Sequence, residues 1–515
     1  MLTSIQLRLI MVAFLGLMPM TWAQQTAWHE LIEQATSLYQ QGQYSDAAKL
    51  GEEALAVARN LFGPEHPNVA IASNNLGLFH KSQGRYDLAD ALYQQAVKIL
   101  ERIGPDHPGL ASALSNLAGL RLAQSRPAEA EQLSRRALEI LEKTPGSSPG
   151  DSATLRSHLA AVYEAKGQYA EAERFYRQAL DLRKKTLGSR HPDVAISLSG
   201  LVGVYRMLGR LSEAEELCRQ ALAINEEALG PEHPTRAIGL NNLGLLQLAR
   251  GQYAEAEPSF QQARALLERA LGGRHPEVAV VLHNLAGLYE RLKKVTEAEL
   301  LYQQALAIWE RALGPDHPVV ASALANLAGL YHDQHHWGEA ERLYQRALKI
   351  NETRLGADHP TRVLSMNNLA KLYFDRGKYG KAERLFKTAL TLSQSALGPD
   401  HPDAAAVQNN LALLYFYKGR YDEAESLFRR ALTGFERGLG PAHPHTVRAL
   451  NNLAGFYTAR GRNAEAASLH QRAMGLEAKT LGSSRGGMAG MVVRVEDLYR
   501  TGGKGTKAMK TGAKR

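Results

Sequence analysis

The stretch HPEVAVVLHNLAGLYERLKKVTEAELLYQQALAIWERALGPD, residues 275–316, spells two helices and the stops that part them. Val278, Val281, Leu285, Leu288 and Tyr289 keep the three- and four-residue spacing of one helix face. Ala298, Leu301, Tyr302, Ala305 and Leu306 do the same for a second run. A short polar turn lies between them, in most copies Gly-x-Tyr, as in Gly167-Gln168-Tyr169. The second run stops at Leu313-Gly314, a glycine exit, and the next copy opens on proline, which the first helical turn tolerates. The unit is a helical hairpin.

The hairpin repeats. His-Pro recurs at His66, His107, His191, His233, His275, His317, His359, His401 and His443, and from His191 onward every step is 42 residues. The step from His107 to His191 is 84 residues, two periods with one marker lost. A fixed period of this length is the signature of a solenoid, in which each repeat buries its apolar face only against its neighbours.

Leu285-Ala286, Tyr289, Ala298, Tyr302 and Ala305 have the spacing of the tetratricopeptide repeat, which the chain resembles from about Ala27 to Leu481. The longer period, the Asn-Asn-Leu-Ala of 367–370, 409–412 and 451–454, and Leu-Gly-x-x-His-Pro are similar to the kinesin light chain type of that repeat. The resemblance implies an all-α fold: a right-handed superhelical solenoid of eleven helix pairs with the first helices inside. It implies little about process, because such repeats serve many functions.

Composition agrees. Of 515 residues, 44% are apolar and 22% charged, with 45 glycines, which excludes a wholly disordered chain and a collagen. The net charge of +9 is not spread along the chain, since residues 482–515 carry eight Lys/Arg against two acids. That Gly/Lys tail reads as disordered, with 491–500 able to form one short capping helix, and its charge suits anionic surfaces rather than a specific nucleic acid. At the other end, Arg8, the apolar run Leu9–Met20 and Thr21-Trp22-Ala23 follow the order of a secretory signal peptide. A run of that length falls short of the roughly 20 residues needed to span a bilayer. Residues 1–23 are therefore expected to be cleaved before Gln24, leaving a periplasmic or secreted protein.

One interval breaks the pattern. At 144–151, Thr-Pro-Gly-Ser-Ser-Pro-Gly-Asp puts Pro149 and Gly150 where His-Pro should stand, while His158 and then Gly200 replace the usual Asn. The expectation is a joint there, the alternative being a part of the groove put to another use.

Few residues offer chemistry. Gly-rich phosphate loops and His-Glu-x-x-His are missing from the sequence, so no enzyme and no cofactor is expected. The single Cys218 takes the place of Tyr176 and Tyr302 in other copies and reads as a packing residue. The His-Pro histidines recur at repeat spacing, too far apart to share one ion with bonds near 2 Å. His332, Asp333, His335 and His336 are denser, but His335 stands where other copies have the turn glycine, so no metal site is expected.

The asparagines are the candidate site. Asn75, Asn116, Asn242, Asn284, Asn326, Asn368, Asn410 and Asn452 each precede the first-helix leucine. Burying an unpaired amide costs about 1–3 kcal/mol, so a core role is ruled against, and asparagine is a mediocre mid-helix residue. In the related repeats this residue lines the concave face and bonds the backbone of an extended peptide; an amide offers both donors and an acceptor for that task. The alternative is that the amides bond neighbouring helices and hold the stacking register. Arg291 and Lys371, a turn further on, would favour acidic residues in the ligand. The reading is a non-catalytic protein- or peptide-binding scaffold or adaptor. An envelope enzyme or accessory with a site in the third and fourth repeats, and a structural spacer, are the alternatives.

Overall fold

A computed structural model describes residues 22–124, 126–144, 148–355, 359 and 361–480. The segment read as a signal peptide up to residue 21, part of the 144–151 interval and the basic tail lie outside the described residues. Among those described, 22 helices and no strand occur, forming eleven consecutive antiparallel pairs from Trp22–Gln40 with Tyr44–Phe62 to Pro444–Ala459 with Asn463–Thr480. Among the described residues no helix is long and apolar enough to cross a membrane. The chain divides into two compact units, Met1–Leu155 with Ala312–Gly314, and Arg156–Arg311 with Pro315–Arg515.

The stops work as their residues dictate. Most of the described second helices leave through a glycine at positive φ, such as Gly188 at 87° and Gly440 at 90°, whereas Gly104 is extended at 172°. The turn inside the hairpin uses a second left-handed residue, usually glycine, but Lys293 (60°) and His335 (63°) in pairs seven and eight. His335 thus sits in the geometry its place in the sequence implied.

The His-Pro marker has a function that its position alone did not reveal. In all nine copies the imidazole Nδ1 accepts a hydrogen bond from the backbone N–H two residues on, as from Asn68 to His66 (3.1 Å) and Val319 to His317 (3.1 Å). Histidine is the N-cap here, taking the place usually held by Ser, Thr or Asp, with proline behind it at the first helical position.

Packing follows from small residues. Ala298 and Ala305, like Ala340 and Ala347 one repeat later, are fully buried and let the hairpin close. Stacking between pairs is held by a polar rivet. Tyr205, Tyr289, Tyr331, Tyr373, Tyr415 and Tyr457 each donate to a carboxylate of the preceding second helix: Glu173, Glu257, Glu299, Glu341, Glu383 and Glu425, at 2.6–3.4 Å. A cation closes the rivet. Arg210 lies 3.9 Å from the Tyr205 ring centre and bonds Glu173 at 2.9 Å, and Arg420 and Arg462 repeat this on Tyr415 and Tyr457. Hydrogen bonding from Lys418 holds the Glu383 carboxyl down at about 2, against the opposing effect of its burial.

Within the second unit the first helices of successive pairs touch one another, whereas the second helices stay further apart. The side on which helices crowd is the inside of the curve, so the first helices line the concave face. The same unit coils back on itself: the turn glycines Gly167 and Gly209 come against the rings of His401 and His443, with 3.7 and 3.8 Å left for an added methyl.

Gly200, which departs from the asparagine pattern, has a local reason. A Cβ at this position would overlap the Tyr176 ring. Gly200→Ala should therefore cost about 1–3 kcal/mol of stability, as overpacked cores do. A melting curve matching or exceeding that of the parent chain would refute this account.

Candidate ligand-binding face

Position five after each cap histidine and position nine fall on one face of the first helix, one turn apart. In the second unit that face carries Ile196, Ile238, Val280, Ser322, Leu364, Ala406 and Arg448 along its first row, apolar over its first three members, and Gly200, Asn242, Asn284, Asn326, Asn368, Asn410 and Asn452 along its second. In the first unit the same positions hold Ile71 with Asn75 and Ser112 with Asn116.

Five of the eight asparagines reach back to the preceding repeat. Asn116 Nδ2 donates to Asn74 Oδ1 at 3.0 Å, Asn284 to Asn241, Asn410 to Asn367 and Asn452 to Asn409, each at 2.9 Å. Asn326 Nδ2 lies 2.7 Å from His283 Nε2, which must accept and so be unprotonated at that nitrogen. The amides form a ladder between repeats, as the register alternative requires. Asn368 is different, because the residue facing it from the previous repeat is Ala325, which has no side-chain acceptor.

Exposure divides the row. Asn326 is exposed and Asn75, Asn116, Asn242, Asn284 and Asn368 are half-buried. Asn410 and Asn452 are 3% and 1% exposed, so the expectation of an open groove does not hold for these two. Their amides are tied along the ladder and closed over. Arg291 and Lys371 are half-buried, on the first helices of pairs seven and nine. The apolar row is the feature the sequence reading passed over: Ile196 is 57% exposed and Ile238 46%. The signal was present, since an aliphatic residue recurs one turn before the asparagine, but apolar residues at helical spacing read first as core.

Other candidates carry no chemistry. Cys218 is buried against the Gly239 carbonyl at 3.4 Å, and burial pushes its thiol up to about 12, so no thiolate is available. His332 is buried and bonds Asp375 of the next repeat at 2.8 Å. Among the described residues no group of three His, Cys, Asp or Glu side chains could hold a metal.

The family model for the tetratricopeptide repeat matches eight overlapping stretches: 25–102, 69–143, 151–227, 198–269, 235–308, 277–353, 361–437 and 403–476. The chain belongs to the tetratricopeptide repeat family. Comparison with curated proteins returned no match. Among solved structures, a putative kinesin light chain of Podosopora anserina with nearly identical TPR-like repeats is 29% identical, covering 41% of this chain and 99% of that one (TM-score 0.34). BtubC from P. vanneervenii is 23% identical over 44% of this chain and 91% of that one (TM-score 0.38). A Rap protein complexed with competence and sporulation factor is 15% identical over 72% and 98% (TM-score 0.49). These tetratricopeptide repeats thus present one inner face that is partly tied up in register bonds and partly open.

Proposed function

We propose that this chain is an exported, non-catalytic scaffold that holds an extended protein segment along the inner face of its first helices. The carrying observation is the exposure of Ile196 and Ile238 one turn before Gly200 and Asn242. Apolar side chains left in water, Ile238 with the half-buried Asn242 amide one turn on, suit a ligand offering both side chains and unpaired backbone groups. Membership of a repeat family whose members mediate protein–protein contacts supports the same reading. Arg291 and Lys371 add a preference for acidic residues in the ligand. Export rests on the signal-like residues 1–23, and the periplasm is the compartment proposed. The 144–151 interval is proposed as a joint between repeats three and four, where limited proteolysis of the array should cut first.

The test is capture of tryptic peptides of envelope proteins on the immobilised mature chain, run beside an Ile238→Glu, Asn242→Ala variant. Peptides retained by the parent and released at least tenfold more readily by the variant, with an unchanged melting curve, are the expected result. Equal retention by both would overturn the groove as the binding face.

A further inference from the structure

Where the second unit coils back on itself, two different edges of the repeat meet. The cap loop that opens a late pair seats on the hairpin turn of an early one. His401 of pair ten lies against Gly167 of pair four, and His443 of pair eleven against Gly209 of pair five. Burial, then the carboxylates of Glu164 and Asp403, pushes the Tyr169 hydroxyl up to about 12, so Asp403 of pair ten acts electrostatically on the turn of pair four. Tyr169, in that contact, is only 8% exposed.

Both edges recur uncovered. In pair ten, Gly419-Arg420-Tyr421 repeats the Gly167-Gln168-Tyr169 of pair four, yet Tyr421 is 37% exposed and Tyr417, on the same turn, 44%. Tyr379 of pair nine packs on Tyr417 at 4.8 Å between ring centres, and the exposed Arg460 of pair eleven lies over the Tyr421 ring at 4.1 Å. In the first unit, Gly-Pro-Glu-His at 63–66 and Gly-Pro-Asp-His at 104–107 repeat the Gly-Pro-Asp-His of 398–401 that seats on pair four. There Glu65, His66 and Asp106 are exposed.

We propose that this chain associates head to tail with a second copy of itself, the cap loops 63–66 and 104–107 of one copy seating on the tyrosine-rich turn edge of pairs nine to eleven of the next. The occupant is a second copy because the chain already makes this contact internally, with the same loop sequence on the same kind of turn. Charge complements it, Glu65 and Asp106 on the loops facing Arg420 and Arg460 on the turns. Since two different patches meet, the interface is heterologous, and each added copy leaves an edge free for another. Neither edge includes the isoleucine or asparagine rows, so self-association and ligand binding on the inner face are independent.

Sedimentation velocity on the full chain tests this. The mass of the parent should rise with concentration. Tyr417→Glu with Tyr421→Glu spoils the turn edge, and Glu65→Arg with Asp106→Arg spoils the cap edge. Either pair alone should leave single chains at concentrations at least tenfold above those at which the parent associates. Mixed in equal amounts, the two variants each keep the edge the other has lost, and should form dimers and nothing larger. Arg460→Glu, at an exposed side chain, replaces the tyrosine pair should those changes lower the melting temperature. A parent that stays a single chain throughout would overturn the proposal, as would association that survives either pair of changes. A mixture that forms no dimers would overturn it too, since that is the mark of a symmetric contact.

Discussion

Taking the protein from pH 7.5 to pH 5 should lower its stability by about 2 kcal/mol for each of three buried histidines, His317, His443 and His445. Burial holds His317 and His445 down to about 4 and His443 to about 3. The sign follows from linkage. The unfolded chain binds these protons near 6.5 while the native state refuses them, so stability present above 6.5 is lost progressively as the pH falls towards the folded values. Geometry extends the effect beyond burial. Nδ1 of every cap histidine accepts a backbone N–H, and a proton placed there turns the acceptor into a second donor aimed at the positive end of a helix. His283, also held down to about 4 by burial, must likewise stay neutral to accept from Asn326. Glu383 titrates in a different window: its carboxyl is depressed, so its contribution is lost only below about 4.5, on the way down to 2. Chemical denaturation at pH 7.5, 6 and 5 measures the loss. His317→Asn and His443→Asn keep a capping side chain without a titrating one, and should flatten the dependence. A flat profile in the parent chain would overturn the account.

What the sequence made legible was the local grammar. The period, the proline start and the glycine exit are short-range constraints on φ and ψ, and each is carried by one residue type. Hence eleven hairpins and even the left-handed His335 could be read in advance. The links between repeats were hidden, because each joins residues that carry no shared label. Tyr373 and Glu341 are 32 residues apart, and each looks alone like an ordinary helix residue. The partner of the groove asparagine lies 42 or 43 residues back and changes from Asn to His between copies, with Ala325 standing there for Asn368, so no motif betrays it. Gly200 read as a lapse in the pattern until the Tyr176 ring appeared beside it. The exposed isoleucines were invisible for the opposite reason. Period alone cannot tell an apolar residue facing the core from one facing a groove.

The ladder itself yields the second large effect. Replacing Asn284, Asn326 and Asn410 together with alanine should cost stability, in unequal shares. Asn410 bonds Asn367, which is 1% exposed, and removing it strands a buried carbonyl at about 1–3 kcal/mol. Asn326 is exposed, water can replace its partner, and its share should stay below about 1 kcal/mol. Asn368→Ala is the contrasting change. Ala325 gives that amide nothing to hold, and alanine is the better helix former, so stability should stay level or rise by a few tenths of a kcal/mol. If the inner face binds an extended ligand, Asn368→Ala should nevertheless weaken that ligand by about 0.5–1.5 kcal/mol, the usual net value of one hydrogen bond. Melting and affinity therefore move in opposite patterns across the two variants. Asn410→Ala alters stability first, whereas Asn368→Ala alters binding alone. Should Asn368→Ala leave the affinity of a captured peptide unchanged, the asparagine row would be a stacking device throughout, and ligand binding would fall to the apolar row of Ile196 and Ile238.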